Sequence, residues 1–230
     1  MTLLKSETLF SKPYEYLEII KEAAKEGTLR KLISIVEDYS ENYRIFLEEE
    51  EIYHDHTVRD MVNTYKGDFL ELFAEVFFTC FNANPAIGLT AYTPIGVQDD
   101  YGVDATAINA NGDLVAVQVK YRANPMDKIS YEDLAKTYTA GTIINKVSAC
   151  KPNTLYLFTT AYEVSYQAEY VLDRILVLVN RKVIEHFIDN NLTFWEFAVS
   201  SVDETIKTRM QLNQMKTIDL TKEYSTNEND

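Results

Sequence analysis

Residues Tyr101–Arg122 read YGVDATAINANGDLVAVQVKYR. Two β-like runs, Val103–Ala110 and Leu114–Arg122, flank Asn111-Gly112-Asp113, a triplet suited to a tight turn. The first run carries a carboxylate near its start, Asp104, and the second carries Gln118 and Lys120 two residues apart. With period-2 alternation, Ala116, Gln118, Lys120 and Arg122 share one face, and Val115, Val117, Val119 and Tyr121 share the other. Polar groups on one face of an apolar strand call for a reason, because burying them is costly unless they are partnered. A two-residue turn places Asp104 opposite Val119. A three-residue loop ending in a bulge places it opposite Lys120, with Gln118 one step along. We expect the second register, because it gathers Asp104, Gln118 and Lys120.

The chain has 230 residues, enough for one sizeable core. Its 46% hydrophobic and 25% charged residues are a normal globular balance. No run of eighteen apolar residues occurs, so no membrane span is expected. The start MTLLKSETLFSKPYEY lacks the compact apolar stretch of a signal peptide, and a cytoplasmic protein is the expectation. Two cysteines, Cys80 and Cys150, make neither a disulfide framework nor a cysteine metal site. The net charge of −14 argues against a non-specific nucleic-acid coat, whose affinity comes from neutralising phosphates. It is compatible with a nuclease, since a metal-dependent site needs clustered carboxylates and a local basic patch can act within an acidic protein.

Helices are expected over Pro13–Lys25, with Gly27 as the stop, over Thr28–Tyr39 and over about Tyr43–Ile52. His54, Asp55 and His56 have no evident third metal partner and read as a helix junction. Gly67–Phe81 reads as the first long apolar helix, with Glu71 and Glu75 on one stripe. Leu89–Tyr92 is a short strand. Beyond the hairpin, Ser130 caps a helix running to about Val147, and Thr154–Thr160 is a buried strand. Ser165–Leu172 starts a helix. Ile175–Val179 reads as a strand or a helix end, and Arg181–Phe187 as helix or strand. Val202–Asn213, capped at Ser201, is the last helix candidate. This order suits an α/β fold, a three-layer α/β/α sandwich around a mixed sheet with an N-terminal helical extension. The expected division is a helical lobe over residues 1–63, the main domain over 64–222 and a flexible tail over 223–230.

Gly102-x-Asp104 followed by Gln118-x-Lys120 resembles the PD-(D/E)xK nuclease superfamily, in the variant where glutamine replaces the second carboxylate. It looks most like the nuclease domains of Mrr-type and helicase-linked restriction enzymes. In those a preceding helix carries glycine and then glutamate four residues on, a spacing matched by Gly67 and Glu71. The resemblance covers roughly Tyr65 to Thr160. Val103 precedes Asp104, so the literal proline-aspartate pair is absent. The resemblance implies a restriction endonuclease-like fold and a metal-dependent DNA endonuclease, serving restriction, phage DNA processing or mobile-element defence.

The residue types suit that chemistry. Mg²⁺ prefers oxygen ligands and keeps several waters, and Mn²⁺ can substitute. Asp104, Gln118 and Glu71 are the candidate metal ligands, with Glu75 the competing helix carboxylate. Lys120 would orient the attacking water and stabilise charge. Arg122, Lys136 and Tyr121 are candidate substrate contacts. Each residue also has a structural reading: Asp104 as a strand-start cap, Gln118 as a hydrogen-bonded buried amide, Lys120 as a snorkelling side chain, Glu71 as an exposed helical glutamate, Arg122 as a surface ion pair. Double-stranded DNA is the expected partner. A homodimer is compatible, because double-strand cleavage often needs two active sites. The alternative is a catalytically inactive protein of nuclease fold that binds DNA or a protein partner.

Overall fold

The computed structural model describes residues 3–49, 55–96, 102–143 and 154–226. Helix α1 spans Pro13–Glu26, with proline in its first turn and Gly27 at its end. Helix α2 covers Leu29–Glu49. The two helices expected over Thr28–Tyr39 and from Tyr43 are one, because nothing between them breaks the backbone ladder and Ser40 turns its hydroxyl back to the Glu37 carbonyl. Helix α3, Asp55–Cys80, precedes β1 (Leu89–Pro94), β2 (Ala105–Asn109) and β3 (Leu114–Lys120). Helix α4 (Tyr131–Ile143), β4 (Leu155–Thr159), α5 (Tyr166–Leu172), β5 (Leu176–Val179), α6 (Arg181–Ile188) and α7 (Leu192–Thr226) follow.

The five strands lie in the order β1-β2-β3-β4-β5. The first three are antiparallel neighbours, and β3, β4 and β5 run parallel. The period-2 rule sorts β3 between two cores. Val115, Val117 and Val119 pack with Phe73, Phe77, Trp195 and the apolar faces of α1, α2, α3 and α7. Ala116 points the other way, to Leu134 of α4 and Ala168 and Leu172 of α5. All five residues of β4 are buried, so the sheet is covered on both faces. The sheet with helices on each side is the layered α/β arrangement expected. Helices α1 and α2 share the larger core with the strands, and the boundary drawn at residue 63 falls inside α3.

The hairpin register differs from expectation. The loop is Ala110-Asn111-Gly112, one residue earlier than Asn111-Gly112-Asp113. The Gly112 N–H donates to the Asn109 carbonyl at 2.9 Å, and Gly112 takes φ +81°. A three-residue loop needs its left-handed residue last, so the glycine fixes which residues form it. Asn109 reinforces the loop by accepting from the N–H groups of Asn111 and Asp113, each at 2.9 Å. The ladder therefore pairs Ala105 with Val117, and Asp104 does not stand opposite Lys120. The offset is two residues, and an even offset keeps every side chain on its face.

Two local expectations are corrected. Ser201 does not cap a helix: it lies inside α7 and its hydroxyl bonds the Ala198 carbonyl, while Asn191 caps α7 through the Phe194 N–H. Arg181–Phe187 is helical, capped by Asn180 through the Val183 N–H at 3.1 Å. Of the tail expected over 223–230, residues 223–226 are the end of α7; 227–230, His54, Cys150 and the stretch 144–153 lie outside the described residues. Among the described residues no helix is long and apolar enough to cross a membrane.

Candidate active site

Asp104 sits where β2 leaves the ladder. Its own N–H donates to the Val117 carbonyl at 3.2 Å. Its Oδ2 accepts from Gln118 Nε2 and from the Val119 N–H, both at 2.5 Å. The carboxylate thus replaces the missing rungs of the ladder, and it is at once a strand-start cap and the centre of the polar cluster.

Gln118 is 2% exposed, on the face toward α4. Its amide is held at both ends: the NH₂ group meets Asp104, and the carbonyl oxygen Oε1 lies against Thr137 Oγ1. Thr137, also 2% exposed, is within hydrogen-bond reach of the Gly102 carbonyl as well. Gly102 can come this close only because it lacks a side chain. Its φ is +88°, and a Cβ would stand 3.2 Å from Lys136 Cβ.

Helix α3 supplies the facing wall. Asn63, Gly67 and Glu71 recur every four residues along one stripe of it, and open space lies beside Gly67. A cleft of about 450 Å³ runs between this stripe and the end of β3; Glu71, Asp104, Lys120, Tyr121 and Arg122 line it, with Lys66 beside them. A second cleft of about 310 Å³ shares Gly67, Glu71 and Asp104 and adds Asp68. Burial pushes the Asp68 carboxyl up to about 6. Glu75 lies elsewhere. It is 3% exposed, and its two oxygens accept from the Lys5 and Ser6 N–H groups at 2.6 and 2.8 Å. Burial raises its pKa, with the two N–H donors opposing. Of the two candidate helix carboxylates, Glu71 is the one at the cleft.

The expected substrate contacts divide. Arg122 lines the cleft, and its guanidinium pairs with Asp133 at 2.7 Å. Burial alone would raise the Asp133 carboxyl; the Ser130 N–H and hydroxyl and the Arg122 charge outweigh it and hold the group below the usual carboxylate range. Tyr121 lines the cleft and donates its hydroxyl to Glu37 at 2.6 Å, while the other Glu37 oxygen takes Lys66 at 2.7 Å. Lys136 is exposed and does not line this cleft. Lys120 is partly exposed, and among the described residues no ion pair holds its ammonium. Three basic side chains, Lys66, Lys120 and Arg122, line the cleft together with two carboxylates, Glu71 and Asp104, in a chain of net charge −14.

Reading the sequence alone misses Thr137, Glu37, Lys66 and Asp133. Lys66 had a signal, since it adjoins Gly67 on the helix that carries Glu71. Thr137 had none: its role depends on how α4 docks.

Gln118, expected as a third metal ligand, gives its NH₂ group to Asp104, turns its oxygen to Thr137 and does not line the cleft. The carboxylates of Glu71 and Asp104 remain as oxygen donors, which suit a hard cation. Among the described residues no group of three or more His, Cys, Asp or Glu is gathered to hold a metal. Asp104 and Glu71 form a two-carboxylate cleft, which fits an ion that keeps several waters.

No protein-family model matches the chain. No curated protein matches it either. Among solved structures, it is similar to the MspJI restriction endonuclease in complex with a 27-mer oligonucleotide. The identity is 18% and the TM-score 0.39, over 64% of this chain and 34% of that one. The chain therefore spans about a third of that protein's length.

Proposed function

We propose that this chain is a metal-dependent deoxyribonuclease of the PD-(D/E)xK class, in its glutamine variant. The observation that carries the reading is the meeting of Asp104, Lys120 and the helix carboxylate Glu71 at one cleft, with Gln118 bonded to Asp104 behind them. Asp104 and Glu71 would hold Mg²⁺ or Mn²⁺, with Gln118 fixing the Asp104 carboxylate through its NH₂ group. When bound, the ion lowers the pKa of water and neutralises charge on the scissile phosphate.

The chain's own groups do the rest. Lys120 presents an ammonium to the phosphate and to the attacking water, orienting one and stabilising charge on the other. Arg122 and Lys66 add positive potential along the cleft, tempered by Asp133 and Glu37. The Gln118 and Val119 N–H donors stabilise Asp104 as the anion. The expected products carry a 5′-phosphate.

The second reading is a protein of nuclease fold that binds DNA or a protein partner without catalysis. The pairing of Arg122 with Asp133 is what favours it. Incubation with supercoiled, linear, single-stranded and branched DNA, in Mg²⁺, Mn²⁺ or EDTA, separates the two. Cleavage of at least one substrate in metal and none in EDTA is expected. Cleavage retained by Asp104→Ala and Lys120→Ala would sink the site assignment.

A further inference from the structure

A third pocket, of about 350 Å³, continues the row of clefts along α3. It shares Thr64 and Asp68 with the 310 Å³ cleft, which shares Glu71 and Asp104 with the candidate active site. Thr64 precedes Glu71 by seven residues, a rise of about 10 Å along a helix. The walls here are aromatic. Tyr16, Tyr43 and Tyr65 line the pocket, and the Tyr65 ring lies 5.6 Å from each of the other two. Tyr65 is 3% exposed, and among the described residues its hydroxyl is buried without a hydrogen-bond partner. The Glu15 carboxylate raises its pKa from nearby but does not accept its proton in hydrogen-bond geometry. Asp60 and Asp68 complete the lining with two carboxylates, and Lys12 with an ammonium. That ammonium stands over the ring faces, 3.8 Å from the Tyr43 centroid and 5.2 Å from that of Tyr65. Its ion pair with Glu15 is long, at 3.8 Å, so little holds the side chain in place.

Aromatic walls with a few polar groups suit a flat, largely apolar ligand. Two carboxylates repel a phosphate, but they accept from the N–H and NH₂ edges of a base. We propose that this pocket takes a nucleobase of the substrate strand, about one to three nucleotides from the bond cleaved, stacked on Tyr43 with its edge toward Asp60 and Asp68. The inference rests on the nuclease reading of the neighbouring cleft and adds to it a contact that senses the base. Lys12 then leaves the ring face to the base and turns its ammonium to a flanking phosphate. In a duplex the base must first leave its stack, which costs least where it is mispaired or already single-stranded.

The test is steady-state cleavage in Mg²⁺ of an oligonucleotide whose cut site has been mapped, with each nucleotide flanking the cut replaced in turn by an abasic one. In wild type, one position is expected to raise KM about five- to hundredfold, the worth of a base stacked on an aromatic ring, with kcat changed only a few-fold. Tyr43→Ala is expected to raise KM on the intact strand by a similar factor and to lose its response to the abasic position, whereas Tyr43→Phe keeps both wild-type values. The absence of any sensitive position in wild type overturns the proposal, whether or not Tyr43→Ala folds. So does a folded Tyr43→Ala that keeps the wild-type KM or the wild-type response to the abasic position. Those results leave the nuclease reading standing, because cleavage persists in them. A wild type that cleaves nothing in Mg²⁺ or Mn²⁺ removes both.

Discussion

Asp104 has two jobs that substitution can separate. Its oxygen closes the gap where β2 leaves β3, and its charge faces the cleft. Asp104→Ala removes both, leaving the Val119 N–H and the Gln118 amide without their acceptor. A loss of about 1–3 kcal/mol in urea unfolding is expected, together with loss of cleavage. Asp104→Asn keeps an acceptor oxygen and removes the charge, so it should unfold within about 1 kcal/mol of wild type and still fail to cleave. Asp68 gives a second test, through pH. Its folded pKa of about 6 lies above the ordinary 3.8, so the folded state binds the proton more tightly than the unfolded chain does. Ionising it above pH 6 costs stability, and the cost fades as pH falls from 6 toward 3.8. Asp68→Asn should therefore be more stable than wild type at pH 7.5, by about 1 kcal/mol after allowance for partial exposure, and the two should converge near pH 4. At this scale the residue types were legible in the order of the chain: a carboxylate, then an amide and an ammonium on one strand face. Their partners were not, because Thr137, Asp133 and Glu37 come from helices whose docking no local pattern encodes.

The hairpin shows what an element adds. Its strands were visible as alternating runs, and its three-residue loop was anticipated in kind. Its register was not, since Asn111-Gly112-Asp113 offers several placements; Gly112 decides among them by taking the left-handed last position, and the Asn109 side chain caps the loop so formed. The two-residue offset left the polar face of Gln118 and Lys120 intact because strand periodicity is two. Helices told a similar story: α1 and the Ser130 cap of α4 followed from local signals, whereas α2 ran through an expected break because its apolar stripe stays buried from Leu29 to Leu47. Gly102 joins element to site. Gly102→Ala forces a left-handed backbone on alanine and drives a methyl against Lys136 Cβ. It should cost about 1–3 kcal/mol, read as a lower urea midpoint, and slow cleavage by moving β2 away from α4.

Across the whole molecule, the site depends on layers that are far apart in sequence. The N-terminal segment is tied to α3 by Glu75 and to α7 by the Leu4 N–H on Thr205, so both ends of the chain brace the helix that carries Glu71. The two glutamates of α3 should therefore fail differently. Glu75→Gln weakens the tie, lowering stability by about 1–3 kcal/mol while leaving the cleavage rate within a few-fold of wild type. Glu71→Gln should leave stability nearly unchanged and abolish or severely slow metal-dependent cleavage. A thermal melt and a rate on each variant decide it.

Lys120 is the cleanest probe of the cleft, because it lines the cleft with Glu71 and Asp104 and no ion pair among the described residues ties it to the fold. The deciding measurement is the single-turnover rate of Mg²⁺-dependent phosphodiester cleavage by wild type and by Lys120→Ala, with circular dichroism and melting temperature matched. A fall of about 10²–10³-fold in a variant that folds as wild type does is the expected result. Equal rates in the two proteins would contradict the assignment of this cleft as the active site.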